Sequence, residues 1–218
     1  MYRFGVPIRV VFFDCDGTLT KVRSSWEYLH KRLSLWDGVA ETYERLFREG
    51  KIDYSEFCSR DACLWKGLPL DKVLGLIGEI ELQEGATDLF HYLKEKGIRT
   101  AIISTGLSML VDRVAAALRT DFSVGNELLC REGRITGEIK INVEYGKKGI
   151  WVKKVLEEWA LRRDEAAAIG DGRGDEDMFA EVAYPIGFNP EKGLSSKLFS
   201  EVRGPSLMPV KEIIEELL

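Results

Sequence analysis

The sequence has few of the residues on which several common catalytic centres depend. Its only histidines, His30 and His91, fall in helical patterns without a catalytic neighbour, so we expect both at the surface. None of the four cysteines starts a C-x5-R loop or belongs to a CxxC pair. This excludes a thiolate phosphate-binding loop, a zinc ribbon and a disulfide framework, and we expect reduced, mostly buried thiols. A nucleotide-binding loop of the form G-x-x-x-x-G-K-[ST] is also absent.

Long apolar runs and an excess of positive charge are missing as well. No apolar run approaches the roughly 20 residues needed to cross a bilayer, and residues 1–11 carry two arginines and a proline instead of a signal-peptide core. With a net charge of -5, the chain lacks the concentrated lysine and arginine that hold a nucleic-acid backbone. We therefore expect a cytoplasmic protein that binds neither membrane nor nucleic acid.

The remaining composition is that of a globular protein, since 45% of the 218 residues are hydrophobic and 31% are charged. Short apolar segments at residues 8–14, 98–104 and 165–170 predict strands buried on both faces, each followed by a helical pattern. This alternation predicts an α/β fold with a doubly wound, Rossmann-like parallel sheet. A glycine between two apolar segments also predicts a hairpin within residues 128–141.

A long insertion follows the first predicted strand. Residues 15–97 separate it from the second strand, which is far more chain than one crossover helix requires. Several helical patterns occupy the excess. We therefore predict a small helical cap at residues 21–81, inserted into an α/β catalytic core that consists of residues 1–20 and 82–218.

A pair of carboxylates, Asp14 and Asp16, stands immediately after the first predicted strand. The residues alternate along an extended chain, and Gly17 permits a sharp turn that keeps both carboxylates near one site. One can attack while the other moves protons, which suits phosphoryl transfer if cations screen the anionic ester. The simpler alternative is a turn in which Asp16 bonds to the backbone and Asp14 merely ends the strand.

Two further polar elements occur later in the chain. Ser104, Thr105 and Gly106 end the second predicted strand, where a hydroxyl and successive backbone amides can hold phosphate oxygens. Ser104 can equally cap the helix expected to begin near residue 107. Lys147 and Lys148 precede another predicted helix, and either can neutralise developing charge, although such a pair is usually solvated surface.

The fourth element is a glycine-rich acidic turn that contains Asp171 and Asp175. Carboxylate oxygens of this kind suit Mg²⁺, which takes one or two of them together with water and substrate phosphate. Alternatively, Asp175 caps the helix that follows. The four elements follow predicted strands in order, at the sheet edge where ligands bind in open α/β folds. Together they predict a metal-assisted phosphoryl-transfer site.

These motifs resemble those of the haloacid dehalogenase superfamily, whose phosphatases contain DxDGT, a Ser or Thr, a Lys and a GDGxxD-type acidic motif. The helical cap after the first motif and the Lys148-Gly149 pair resemble its phosphoserine phosphatase-like group. The resemblance covers the core on both sides of the insertion. It implies that Asp14 is the nucleophile and that Asp16 is the acid and base.

The same resemblance implies roles for the other motif residues. Ser104, Thr105 and Gly106 would hold phosphate, and Lys148, preferred to Lys147 because it directly precedes glycine, would contact both phosphate and nucleophile. Magnesium would be ligated by the carboxylates of Asp14 and Asp171 and by the backbone carbonyl of Asp16. Asp175 would support these ligands without joining them.

The chain also departs from the phosphoserine-specific pattern. Lys21 and Arg23 stand about where those relatives carry a carboxylate for the substrate amino group, and Gly174 replaces a typical Asn. We therefore do not expect phosphoserine as the substrate. Arg23 and Arg60 are candidates for contacts with a second anionic group, although solvated surface charge is the simpler interpretation of each.

The sequence thus predicts a Mg²⁺-dependent hydrolase of a small phosphorylated metabolite, acting through an aspartyl-phosphate. A phosphotransferase or mutase would use the same intermediate and pass the phosphoryl group to an alcohol instead of water. A protein of this fold that binds phosphate ligands without turnover is the alternative from another class. The complete set of motif residues argues against it.

Overall fold

The computed structural model describes residues 6–194 and 198–218. In this part of the chain the strands are β1 (Val10–Phe13), β2 (Arg99–Leu107), β3 (Phe122–Arg131), β4 (Arg134–Lys140), β5 (Ala166–Gly170), β6 (Tyr184–Phe188) and β7 (Ser200–Val202). They form one sheet in the order β4-β3-β2-β1-β5-β6-β7. All neighbours pair in parallel except β3 and β4.

Helices pack on both faces of this sheet. Those of the described residues are α1 (Ser25–Arg32), α2 (Glu41–Arg48), α3 (Tyr54–Leu64), α4 (Leu70–Gly78), α5 (Ala86–Glu95), α6 (Ser108–Leu118), α7 (Lys148–Glu158), α8 (Glu176–Ala180) and α9 (Met208–Glu215). Val11 and Phe13 of β1 pack in one hydrophobic cluster with α5, α6 and α9. Val10 and Phe12 pack in another with α7 and α8. Since alternate residues of β1 are buried on opposite faces, the predicted doubly wound α/β fold is confirmed.

The second strand is longer than predicted. Sequence reasoning ended it at residue 104 because polar residues follow, but β2 continues to Leu107, which pairs with Asn126 of β3 beyond an irregularity. The following helix α6 accordingly begins at Ser108. Pairing with a neighbouring strand therefore outweighs the local polarity of Ser104 and Thr105.

The predicted hairpin is present as β3 and β4. Its turn consists of Glu132 and Gly133, whose φ values of 51° and 73° both lie in the left-handed region. Such a two-residue turn matches the twist of the flanking strands. The hairpin also supports the helical insertion, because Gly67 N donates to Ile135 O at 2.8 Å and Leu70 N donates to Gly133 O at 2.9 Å.

Helices α1 to α4 lie between β1 and α5, in the stretch predicted as a cap. The chain leaves and re-enters the core through two adjacent segments, since Lys21 N donates to Glu81 O at 3.1 Å and Gln83 N donates to Leu19 O at 2.8 Å. Thr20 and Leu82 form an antiparallel bridge between them. The division into a core of residues 1–20 and 82–218 and a cap of residues 21–81 stays a prediction.

Two expectations about side-chain burial are wrong in part. Cys15 and Cys58 are buried, but Cys63 and Cys130 are exposed, and all four thiols are free. His30 was expected at the surface and is instead fully buried, with Nε2 3.3 Å from Asp61 Oδ2. It lies four residues after Trp26 and therefore on the buried face of α1. None of the helices in residues 6–194 and 198–218 could span a membrane.

Candidate active site

Asp14 continues β1 by one residue and occupies the carboxyl-terminal edge of the sheet. Its backbone N donates to Ile169 O at 2.9 Å, which aligns it with β5. Its Oδ1 accepts from Cys15 N at 2.7 Å and lies 2.7 Å from Lys148 Nζ. Burial and the nearby Asp175 raise the pKa of Asp14 well above its ordinary value, although Lys148 opposes this shift.

Lys148 is the first residue of α7 and is only 1% exposed. Its Nζ lies between Asp14 and Asp175, 2.6 Å from Asp175 Oδ1. Burial alone would lower the pKa of Lys148, but the two carboxylates outweigh it and raise the pKa, so this lysine remains charged. Lys147 is instead exposed and pairs with Glu144. The structure thus brings Lys148, and not Lys147, to the predicted nucleophile.

Close packing requires glycine at two positions around these groups. A Cβ on Gly149 would lie 2.8 Å from Asp177 O, and Gly149 N donates to Asp177 Oδ2 at 2.6 Å. Gly17 has φ of 78°, and a Cβ on it would lie 2.5 Å from Asp171 Oδ2. Gly17 therefore allows both the left-handed turn and the approach of the acidic loop.

The acidic loop after β5 is organised by Asp175. Its Oδ2 accepts from Asp171 N at 3.1 Å and from Gly172 N at 3.0 Å, while Oδ1 contacts Lys148. Asp175 occupies the N-cap position of helix α8, but its side chain makes no capping hydrogen bond there, because it bonds to amides that precede it. Asp171 accepts a hydrogen bond from Thr18 Oγ1 at 3.2 Å. Burial, followed by the charge of Asp175, raises the pKa of Asp171 to about 7.

The charges of this cluster fit a divalent cation. Asp14, Asp171 and Asp175 each offer a carboxylate oxygen, and these atoms all lie within 4.8 Å of one another. The three residues are buried, and Lys148 is the buried cation among them. Three carboxylates against one ammonium group leave an excess of negative charge that burial makes unfavourable. Hard oxygen donors in such a cluster can hold a metal ion.

Asp16 is bound by Ser25, the first residue of α1. Its Oδ2 accepts from both the N and the Oγ of Ser25, each at 2.7 Å. Its Oδ1 is buried, and no residue of the described chain donates to it. Burial raises the pKa of Asp16, and the two bonds from Ser25 partly offset this. Sequence reasoning missed Ser25, because Ser24-Ser25 at the start of a helix indicates only a cap.

The predicted phosphate-binding segment lies beside Asp16. Ser104 is 1% exposed, and its Oγ accepts a hydrogen bond from Gly106 N at 3.0 Å. Its side chain therefore stabilises the backbone of the segment. A Cβ on Gly106 would lie 2.7 Å from Asp16 Oδ2, which explains the glycine. The carbonyl of Thr105 accepts from three side chains that sequence reasoning did not connect to it: Trp26 at 3.3 Å, Tyr54 at 2.8 Å and Asn126 at 3.0 Å.

These residues surround one cavity of about 1220 Å³. The predicted site residues that line it are Asp14, Asp16, Arg23, Thr105, Gly106, Lys148, Asp171 and Asp175. Arg23 Nη2 lies 3.8 Å from Asp171 Oδ2. Arg60 is not brought to the cavity, because it pairs with Glu56 and lies over the ring of Tyr43, 5.3 Å from its centroid. Its contribution to substrate binding is therefore not supported by its position.

Comparison with known proteins agrees with this arrangement. The family model for haloacid dehalogenase-like hydrolases matches residues 11–180. A phosphoserine phosphatase of Archaeoglobus fulgidus is 30% identical over 208 residues, which are 95% of this chain and 60% of that protein. Another from Methanocaldococcus jannaschii is 27% identical, over 87% of this chain and 89% of that protein.

The fold is also found among solved structures. A phosphoserine phosphatase with an analogue of its phospho-aspartyl intermediate superimposes with a TM-score of 0.84 at 23% identity, over 95% of this chain and 99% of that one. The chain therefore belongs to the haloacid dehalogenase-like hydrolase family, as an enzyme of its phosphoserine phosphatase-like group.

Proposed function

We propose that the chain is a Mg²⁺-dependent phosphomonoester hydrolase, which acts on a small phosphorylated metabolite through a phosphoryl group carried on Asp14. One observation carries this proposal: both donors to Asp14, Cys15 N and Lys148 Nζ, bind the same oxygen, Oδ1. Among the described residues nothing donates to Oδ2, and Asp14 lines the cavity. Oδ2 is therefore available to attack a phosphorus atom.

In the first step, a bond forms between Asp14 Oδ2 and phosphorus, and the bond between phosphorus and the alcohol oxygen breaks. Asp16 donates a proton to that oxygen. The proton would reside on Asp16 Oδ1, since Oδ2 already accepts two hydrogen bonds from Ser25. The raised pKa of Asp16 favours the protonated form that this step requires.

In the second step, ionised Asp16 takes a proton from water. The water oxygen bonds to phosphorus, the bond from phosphorus to Asp14 Oδ2 breaks, and inorganic phosphate leaves. Lys148 keeps its positive charge next to Asp14 Oδ1 in both steps, and so opposes the build-up of negative charge. Atoms and protons balance, because Asp16 regains in this step the proton that it lost in the first.

The metal would be held by the carboxylates of Asp14 and Asp171 and by the backbone carbonyl of Asp16. Asp175 would keep the loop in place through Lys148 and through the amides of Asp171 and Gly172. When bound, Mg²⁺ supplies positive charge that lets an anionic carboxylate approach an anionic phosphate ester. The excess of buried carboxylate over ammonium supports a divalent ion at this position.

The names of the relatives support a small phosphorylated substrate, since both curated relatives are phosphoserine phosphatases. Hydrolysis and transfer use the same first step. They can be separated by adding an acceptor alcohol during turnover and measuring where the phosphate appears. Phosphate on the alcohol instead of in solution would indicate a phosphotransferase.

The proposal is tested by phosphate release from 4-nitrophenyl phosphate. We expect release with Mg²⁺, loss of release with a chelator, and recovery when Mg²⁺ is restored. Asp14→Asn should abolish activity, and Asp16→Asn should lower kcat by about 10²- to 10⁴-fold, the scale of general acid–base catalysis. Asp112→Asn on the exposed face of α6 is the matched control and should retain activity. Unchanged activity in Asp14→Asn would exclude this nucleophile.

A further inference from the structure

The side chains that line the cavity indicate which alcohol carries the phosphate. We infer that the substrate is the phosphate ester of an alcohol that bears a flat aromatic group. This inference rests on the proposed function and concerns the leaving group of the same site. It follows from the aromatic rings and the size of the cavity.

Six aromatic side chains line the cavity: Trp26, Trp36, Phe47, Tyr54, Phe57 and Tyr145. We call them the aromatic wall. Within it, Phe47 and Phe57 are stacked with centroids 5.1 Å apart, and Phe47 meets Tyr145 edge-on at 5.4 Å. Trp26 lies 6.3 Å from Phe57, and its Nε1 donates to Thr105 O at 3.3 Å. For Trp26 and Trp36 the sequence favours packing in the core of the cap, with the lining of a pocket as the alternative.

Helix α2 contributes to this wall without being part of a core. None of its residues is buried, yet Phe47 and Leu46 are apolar. Phe47 faces the cavity, whereas Tyr43 on the same helix lies under the guanidinium of Arg60 and does not line it. Apolar ring surface that stays in contact with water costs about 25 cal/mol for each Å² that could otherwise be buried. A flat apolar ligand would remove that cost and add ring-to-ring contacts.

The cavity volume of about 1220 Å³ is larger than a serine side chain and its amino acid backbone require.

The inference is tested by comparing kcat/KM for three phosphate esters whose leaving groups are all primary alcohols: 2-phenylethyl phosphate, 2-cyclohexylethyl phosphate and phosphoserine. We expect 2-phenylethyl phosphate to be preferred over 2-cyclohexylethyl phosphate by about 3- to 10-fold, the factor that one aromatic pair contributes. We expect phosphoserine to be the poorest of the three. Equal or higher kcat/KM for phosphoserine would overturn the inference while leaving the hydrolase proposal intact.

Two variants of α2 show whether the aromatic wall causes the preference for the phenyl ester over the cyclohexyl ester. Phe47→Ala should bring the ratio of phenyl to cyclohexyl ester close to one, while Tyr43→Ala on the same helix should leave the ratio unchanged. Because Phe47 is only partly buried, Phe47→Ala should still fold, which circular dichroism and urea unfolding report independently of activity. An unchanged ratio in Phe47→Ala would refute the aromatic wall. Absence of turnover with all three esters in the wild-type protein would refute the hydrolase proposal and this inference with it.

Discussion

At the scale of single residues, two adjacent serines at the start of α1 have different tasks. Ser24 accepts a hydrogen bond from Glu27 N at 3.2 Å and so caps the helix. Ser25 donates twice to Asp16 Oδ2, and its Oγ accepts from Leu107 N at 3.3 Å. Ser25 thus joins the proposed acid to the end of β2 and determines which oxygen of Asp16 is left for the substrate.

Replacing each serine with alanine separates the positioning of Asp16 from the capping of helix α1. We expect Ser25→Ala to lower kcat by about 10- to 100-fold with little change in KM, the factor that a hydrogen bond to a charged group is worth. Ser24→Ala should retain kcat but lose about 1 kcal/mol of unfolding free energy. Steady-state kinetics and urea unfolding measure the two effects. Equal losses of kcat would show that Ser25 acts only through the start of the helix.

The residues found by motif reasoning share a local signal. Asp14 and Asp171 directly follow apolar strands, and Lys148 precedes a glycine at a helix start, so neighbouring sequence alone marks them. Ser25 and Asn126 have no such signal, because their roles depend on contacts with distant segments. Asn126 Nδ2, for example, donates to Tyr54 OH and to Thr105 O, each at 3.0 Å.

At the scale of elements, the β3–β4 hairpin forms hydrogen bonds with the backbone of the helical insertion and so helps to fix its position. Its turn residue Gly133 accepts from Leu70 N at 2.9 Å, at the start of α4. Arg134 Nη1 donates to Gly67 O at 2.8 Å, after the end of α3. The turn conformation therefore affects both the sheet edge and the position of two helices.

Glycine replacements in two elements should change stability in opposite directions. A Cβ at Gly133 or at Gly75 of α4 would meet nothing within 4 Å, so neither alanine is excluded by packing. Gly133→Ala should destabilise the fold by about 1–2 kcal/mol, because φ there is left-handed. Gly75→Ala should stabilise it by roughly 0.5–1 kcal/mol, since its backbone is helical. Urea unfolding of both variants provides the comparison, and effects of the same sign would contradict the conformational explanation.

Element types were more predictable than element ends. Strand β1 is uniformly apolar, as a strand that is buried on both faces requires. The glycine between two apolar segments indicates the tight turn of a hairpin. The end of β2 and the cavity-facing role of α2 were not predictable. The first depends on pairing with β3, and the second depends on where the insertion rests over the sheet.

At the scale of the whole molecule, the buried acidic cluster links pH, metal binding and stability. The pKa of Asp171 is about 7 in the folded chain, against an ordinary value of 3.8. Between these values the folded state holds a proton that the unfolded state has lost. For this group, stability therefore falls as pH rises towards 7 and is lowest above it. A bound cation requires the ionised carboxylates and offsets the same repulsion.

The metal-free protein should consequently melt at a lower temperature at pH 8 than at pH 6, and added Mg²⁺ should raise the melting temperature more at pH 8. Thermal unfolding with and without a chelator measures both. Asp171→Asn is the control: it should weaken the pH dependence and the Mg²⁺ effect together. A Mg²⁺ effect that is the same at both pH values in the wild-type protein would be inconsistent with proton displacement from this cluster.

The two segments that connect the core to the insertion lie side by side at Thr20 and Leu82, and this affects which insertions the fold can accept. The two ends of the insertion are bonded to each other, and the entropic cost of closing such a loop rises only slowly with its length, by about 0.6 kcal/mol for each doubling. The sheet and its carboxylates would therefore tolerate an insertion of another length or shape at this junction. Under the proposed function, substrate choice can thus diverge by exchange of one segment, while the proposed catalytic residues stay unchanged.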